Sequence, residues 1–138
     1  MKTDIVIRKL VSLERCLERI ANRLPETAET FAIDLDRQDI VILNLERAIQ
    51  ISIDLGIVVL RSNSIPIPET YGEIFLELQR ALGLGNELAT SLKQAASFRN
   101  LAVHEYTKLD LERVFLFSKR ELEDLRSFGS WIKNLTSL

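Results

Sequence analysis

Asp39-Ile40-Val41-Ile42-Leu43-Asn44-Leu45-Glu46-Arg47-Ala48-Ile49-Gln50-Ile51-Ser52-Ile53-Asp54-Leu55-Gly56 is too apolar, on too many sides, to be a surface helix. Val41, Leu45, Ile49 and Ile53 recur every fourth residue along one side, and Val59 extends the series. Ile42, Leu43, Leu55 and Val58 fall on other sides. A helix of this kind sits at the centre of a bundle, or between a core and a partner. Asp36 or Asp39 can cap its start, and the pattern runs to about Arg61.

Working outward, Leu10, Leu13, Leu17, Ile20 and Leu24 recur at spacings of three and four, the stripe of an amphipathic helix that Pro25 ends. Downstream, Ser62-Asn63-Ser64-Ile65-Pro66-Ile67-Pro68 has the turn formers and proline restrictions of a loop. A third helix is predicted from about Glu69 to Leu82, stopped by Gly83 and Gly85. Asn86 can cap a fourth, which carries Leu88, Leu92 and Ala95. Asp110, with Glu112 just after it, opens a long last helix with Phe115, Leu122, Leu125 and Ile132 on its inner side. No strand-like alternation, internal repeat or low-complexity tract interrupts this order. The prediction is an all-α protein: an antiparallel bundle of about five helices, forming one domain over residues 1–138.

Composition narrows the function. With 46% hydrophobic and 28% charged residues, the chain can bury a core without disulfides or a structural metal. No apolar run approaches the roughly 18 to 20 residues that span a bilayer. Met1-Lys2-Thr3-Asp4-Ile5 carries an early acid and no cleavage pattern, so a cytoplasmic location is expected. Cys16 is the single cysteine, which excludes an internal disulfide, and its place between Leu13 and Leu17 makes it a small core residue. Net charge −2 gives no basic footprint, so any phosphate-contacting patch has to be local. No metal and no cofactor are expected: ligand-spaced clusters are missing, and Gly83-Leu84-Gly85 lacks the context of a phosphate loop.

The chemistry is concentrated in Arg99-Asn100-Leu101-Ala102-Val103-His104-Glu105-Tyr106, which gathers an Arg, an amide, the one His of the chain and one of its two Tyr. At about 100° per residue, Arg99 and His104 stand roughly 140° apart on a continuous helix, whereas Asn100 and His104 share a face and Arg99 nearly aligns with Tyr106. For Arg99 and His104 to meet at one phosphate, the arginine stem reaches around, the helix breaks near His104, or the second group comes from another subunit. Imidazole titrates near neutrality and serves as base or acid, while guanidinium suits phosphate oxygens. Cleavage of RNA through its own 2′-hydroxyl needs both: a base for that proton, an acid for the leaving 5′-oxygen, and positive charge on the transition state. Asn100 could orient His104 or donate to the phosphate. With one imidazole per chain, two-sided acid–base catalysis favours a symmetric dimer.

Written as R-x-x-x-x-H-x-Y, this segment resembles the signature of the HEPN superfamily, in particular the HepT-like ribonuclease toxins of HEPN/MNT toxin–antitoxin systems. The central-helix stretch quoted first and the order of helices resemble that family too. The resemblance implies a four-helix HEPN-like core with an additional helix, and a metal-independent endoribonuclease acting on RNA as a homodimer, with Arg99 and His104 at the dimer cleft and Asn100 beside them. It also implies an MNT-type nucleotidyltransferase antitoxin as partner, with Tyr106 as the acceptor of AMP. A bulky anion beside Arg99 and His104 would then block the phosphate site.

Plainer readings accompany each residue. His104 can be a buried polar group bonded to a carbonyl, Arg99 can cover apolar surface, Tyr106 can pack with its hydroxyl at the surface, and Asn100 can bond locally to backbone. Asp39 reads as a cap or a cleft residue, Asp54 as solvated, paired or near the cleft. Trp131 and the phenylalanines of the last helix read as packing and oligomer contact. A non-catalytic helical adaptor binding a nucleotidyltransferase is the alternative function.

Overall fold

Six α-helices and one short 3-10 turn account for the regular structure in a computed structural model of the chain, which describes residues 3–138; Met1 and Lys2, part of the segment read for an export signal, lie outside them. Helix α1 (Thr3–Arg23) buries Val6, Leu10, Leu13, Cys16, Leu17 and Ile20, the expected stripe with one more turn at its start. Pro25 ends it as predicted: Leu24 closes a last turn, its N–H donating to Ile20 O at 2.8 Å, and leaves the helix while still packing on the core.

A five-residue helix, α2 (Ala28–Ala32), was not anticipated. Its Thr27 cap accepts from the Thr30 N–H at 3.2 Å, and it drives Phe31 into full burial. It also corrects the start of the central helix. The cap of α3 (Leu35–Ser62) is Asp34, whose Oδ1 accepts from the Arg37 N–H at 3.1 Å, and neither Asp36 nor Asp39. Asp34 is the residue left in extended conformation (φ −116°, ψ 95°) when α2 hands the chain over, whereas Asp36 already lies in the first turn, favourably placed in the helix dipole.

Helix α3 is central, as its many-sided apolarity predicts: Val41, Ile42, Leu45, Ile49, Ile53, Leu55, Val59 and Leu60 are all buried, and α1, α2, α4, α5 and α6 all pack on it. Gly56 marks its closest approach to α4 (Tyr71–Leu82), where a Cβ would stand 2.8 Å from Ile74 Cγ2. Gly83, at φ 83°, closes α4 in the left-handed conformation that suits glycine. Helix α5 (Asn86–His104) starts one residue earlier than predicted. Gly85 holds the cap position and Asn86 is already helical, its side-chain oxygen accepting from Gln79 Nε2 at 3.0 Å. Asp110 caps α6 (Leu111–Thr136) as expected, Oδ1 accepting from the N–H groups of Glu112 and Arg113 at 3.0 and 3.4 Å.

The buried face of α6 is Val114, Phe115, Ser118, Glu121, Leu125, Phe128, Gly129 and Ile132. Leu122, predicted to face inward, is only half-buried; Glu121 takes the inward position. Asp54 is paired, its carboxylate 3.4 Å from Lys9 Nζ of α1 and accepting from Gln50 Nε2 at 3.0 Å. Cys16 is buried, and burial pushes its thiol up, as befits a core residue. None of the described helices is long and apolar enough to cross a membrane.

Candidate active site

The signature occupies the last turns of α5 and a 3-10 turn at Tyr106–Lys108. Leu92, Ala95, Ala96 and Ala102 form the inner stripe of α5, and Arg99 falls on that stripe, half-buried. Its Nη1 donates to Asn100 Oδ1 at 3.2 Å, and its guanidinium stands 5.8 Å from the centre of the Tyr71 ring of α4. Asn100 therefore orients the arginine through its own side chain. The arginine is presented as a fixed cation, with a neighbouring amide on one side and an aromatic face on the other.

His104 is the final residue of α5 and is exposed. The helix stays continuous through both residues and breaks only after His104, so it does not swing the imidazole round to Arg99. No hydrogen bond or ion pair ties His104 to another described side chain, which leaves both ring nitrogens open to solvent or a ligand. Along α5 it continues the row of Ser97 and Leu101, residues that line an open groove of about 820 Å³ between α5 and α6. Phe98 and Phe117 stack in the wall of this groove with centroids 4.7 Å apart, and Lys108, Arg113 and Arg120 stand among its lining residues. Leu116, 59% exposed, is its most open apolar side chain. Asp110 shares the lining, and each cation has an acidic neighbour, Lys108 with Glu105 at 2.9 Å, Arg113 with Asp110 and Arg120 with Glu121 at 3.7 Å, so the groove is apolar and mixed in charge.

Tyr106 opens the 3-10 turn and remains 45% exposed, but its hydroxyl is engaged: it donates to Asp39 Oδ1 at 2.7 Å, across from that turn to the start of α3. Partial burial, the hydrogen bond to Asp39 and the negative charges of Asp39 and Glu46 push the phenol up to about 12. Burial also raises the Glu46 carboxyl, against the opposing charges of Arg99 and Arg47. Asp39 and Glu46, seven apart on α3, form an acidic side to the signature. Sequence reasoning placed Asp39 on the central helix without finding its partner and missed Glu46 and Tyr71; the seven-residue spacing was readable, but which helix it would face was not.

The model of the family described as HepT-like ribonuclease matches residues 13–130. The chain belongs to the HepT-like ribonuclease family. A relative in this family, the mRNA nuclease HepT of Shewanella oneidensis, is 33% identical over 130 residues, covering 94% of this chain and 97% of its own. The structure of the tri-AMPylated HEPN toxin of the same organism in complex with its MNT antitoxin superposes with a TM-score of 0.87 at 33% identity, over 95% of this chain and 98% of that one. A toxin–antitoxin structure with AMP-PNP gives 0.88 at 32% identity, over 95% and 98%. HepT-like membership favours a nuclease over the adaptor alternative.

Proposed function

We propose that this HepT-like chain is the toxin of a toxin–antitoxin pair: a metal-independent endoribonuclease of the cytoplasm, a single domain that works as a homodimer, with Arg99 and His104 as its catalytic groups. The observation that carries the reading is the arrangement at the end of α5, where a guanidinium fixed by Asn100 and Tyr71 lies within five residues of an exposed, unengaged imidazole. In the reaction the 2′-oxygen of the RNA attacks the adjacent phosphorus, the P–O5′ bond breaks, and a 2′,3′-cyclic phosphate remains. His104 takes the 2′ proton or gives one to the 5′-oxygen, and Arg99 offsets the charge gathering on the non-bridging oxygens.

The second imidazole comes from a second copy. The groove between α5 and α6 exposes Leu101 and Leu116, apolar surface that a symmetric partner would cover, while Lys108, Arg113 and Arg120 in its lining would meet the phosphate backbone. The chain is neutralised by an MNT-type nucleotidyltransferase, with Tyr106 as the acceptor of AMP, a reading supported by its likeness to the tri-AMPylated Shewanella oneidensis HEPN toxin in complex with MNT antitoxin. The 45% exposure of that side chain beside His104 supports this assignment.

The test is cleavage of total RNA by purified protein with chelator present. The parent should fragment RNA, and His104→Ala should lose at least about 100-fold in rate with unchanged helicity. A His104→Ala variant that cleaves as fast as the parent, or a parent that needs a divalent cation, would sink the assignment.

A further inference from the structure

Tyr106 does not present a free hydroxyl to an incoming nucleotide. Its one proton is already committed, in a 2.7 Å hydrogen bond, to the Oδ1 of Asp39, a residue far away in sequence that α3 brings to the signature. Asp39 itself is exposed, caps nothing, and forms no ion pair among the described residues. A solvated carboxylate on a helix surface needs no such partner; here it is joined to the one side chain proposed to be covalently modified. We propose that Asp39 is the general base of Tyr106 modification, so that the toxin itself supplies the group that activates its own acceptor hydroxyl. This inference rests on the reading of Tyr106 as the AMP acceptor.

The chemistry is a nucleotidyl transfer from a nucleoside triphosphate held by the partner enzyme. Tyr106 Oη attacks the α-phosphorus, the Oη–P bond forms, and the bond from that phosphorus to the bridging oxygen breaks so that pyrophosphate leaves. The phenolic proton passes to Asp39 Oδ1 and from there to solvent. A base is needed because the acidic surroundings that hold the hydroxyl also keep it protonated: with the phenol pushed up to about 12, only on the order of one molecule in 10⁵ is phenolate at neutral pH. Proton transfer during the attack removes that limitation, and a hydrogen bond already formed at 2.7 Å places the acceptor at the distance such transfer requires. Glu46, seven residues along the same helix, contributes its charge to the Tyr106 environment, but the hydrogen bond belongs to Asp39.

Asp39→Asn separates the two roles of this side chain, because an amide oxygen still accepts the Tyr106 hydrogen bond while no longer serving as a base. The experiment follows AMP incorporation from ATP into the purified chain by intact mass, with the MNT-type nucleotidyltransferase of its own system, for parent, Asp39→Asn and Asp39→Glu. Asp39→Asn should slow the first transfer about 100-fold at neutral pH. Between about pH 6.5 and 9 its rate should climb about tenfold per pH unit, because it must wait for phenolate, while the parent changes little. Asp39→Glu should recover much of the lost rate. The far-UV circular dichroism and urea midpoint of Asp39→Asn should match those of the parent, which shows that the variant is folded. If the parent is modified and Asp39→Asn is modified as fast, with the same pH profile, the base lies in the partner enzyme and the inference is overturned. If the parent acquires no AMP at Tyr106, the acceptor reading itself fails and takes the inference with it.

Discussion

Replacing Glu121 by Gln should stabilise this protein strongly at pH 8.5 and very little at pH 5. Glu121 is fully buried on the inner face of α6, where burial first, and the charge of Asp124 second, push its carboxyl up to about 8, against the opposing charge of Arg120 and the hydrogen bond from Ser91. In the unfolded chain the same group titrates near 4.5. Because the folded value lies above the unfolded one, its contribution to stability is complete below about 4.5, declines as pH rises, and is lost once pH passes about 8. That interval, at about 1.36 kcal/mol per pH unit, amounts to about 5 kcal/mol. Against a typical stability of about 5 to 15 kcal/mol, this is a large fraction. Gln has no proton to gain or lose; its amide N–H can donate to Asp124 and its oxygen can accept from Ser91. Urea denaturation followed by far-UV circular dichroism at about pH 5, 7 and 8.5 should show the parent losing about 3 to 4 kcal/mol across the series and the variant staying nearly flat. A parent whose stability is constant or rises over that window, or a Glu121→Gln variant that keeps the parent's slope, would refute the reasoning.

Three further outcomes are expected. Gly56→Val should destabilise by about 1 to 3 kcal/mol in the same urea assay, since even a Cβ there would stand 2.8 Å from Ile74 Cγ2 and one of the two packed helices must shift. Tyr106 should be the late phase of an ultraviolet absorbance titration, near 12, identified by its loss in Tyr106→Phe and moved downward in Asp39→Asn, where the carboxylate charge is gone. Leu116→Asp, in the groove wall and 59% exposed, should leave the monomer fold intact yet abolish dimerisation in light scattering and RNA cleavage with it; a dimer that survives this charge would place the interface elsewhere.

What the sequence revealed and what it concealed divide along one physical line. The stripes of α1 and α3, the stop at Pro25, the left-handed turn at Gly83 and the cap at Asp110 are written within a few residues of where they act, so helical periodicity and cap chemistry recover them. Helix α2 escaped because five residues with one large apolar side chain, Phe31, carry no period. Its omission then moved the expected cap of α3 past Asp34 to two other acids in the same short stretch. Asn86 was a reasonable cap by residue type, yet Gly85 took the position because a cap needs an extended backbone, and the side chain of Asn86 was already bonded to Gln79. The angle between Arg99 and His104 was also legible, being a property of one helix, and the structure keeps it.

Glu121 and Asp39 show the other side of that line. An apolar stripe drawn through Phe115, Leu122, Leu125 and Ile132 steps around Glu121, because a charged residue is read as solvent-facing; the helix instead buries it, and Ser91 of α5 donates to it from across the interface. Asp39 was readable only as a choice between cap and cleft residue: the cap role is served by Asp34, and its actual neighbour is Tyr106, reached only through tertiary packing. In both cases the decisive fact is a contact between helices, which no pattern along one helix contains. The two acids also differ in a way that bears on function. Glu121 has lost its solvent, so its charge is a cost to the fold. Asp39 keeps its solvent and accepts the phenolic hydrogen bond as well, and a carboxylate so placed remains available for chemistry.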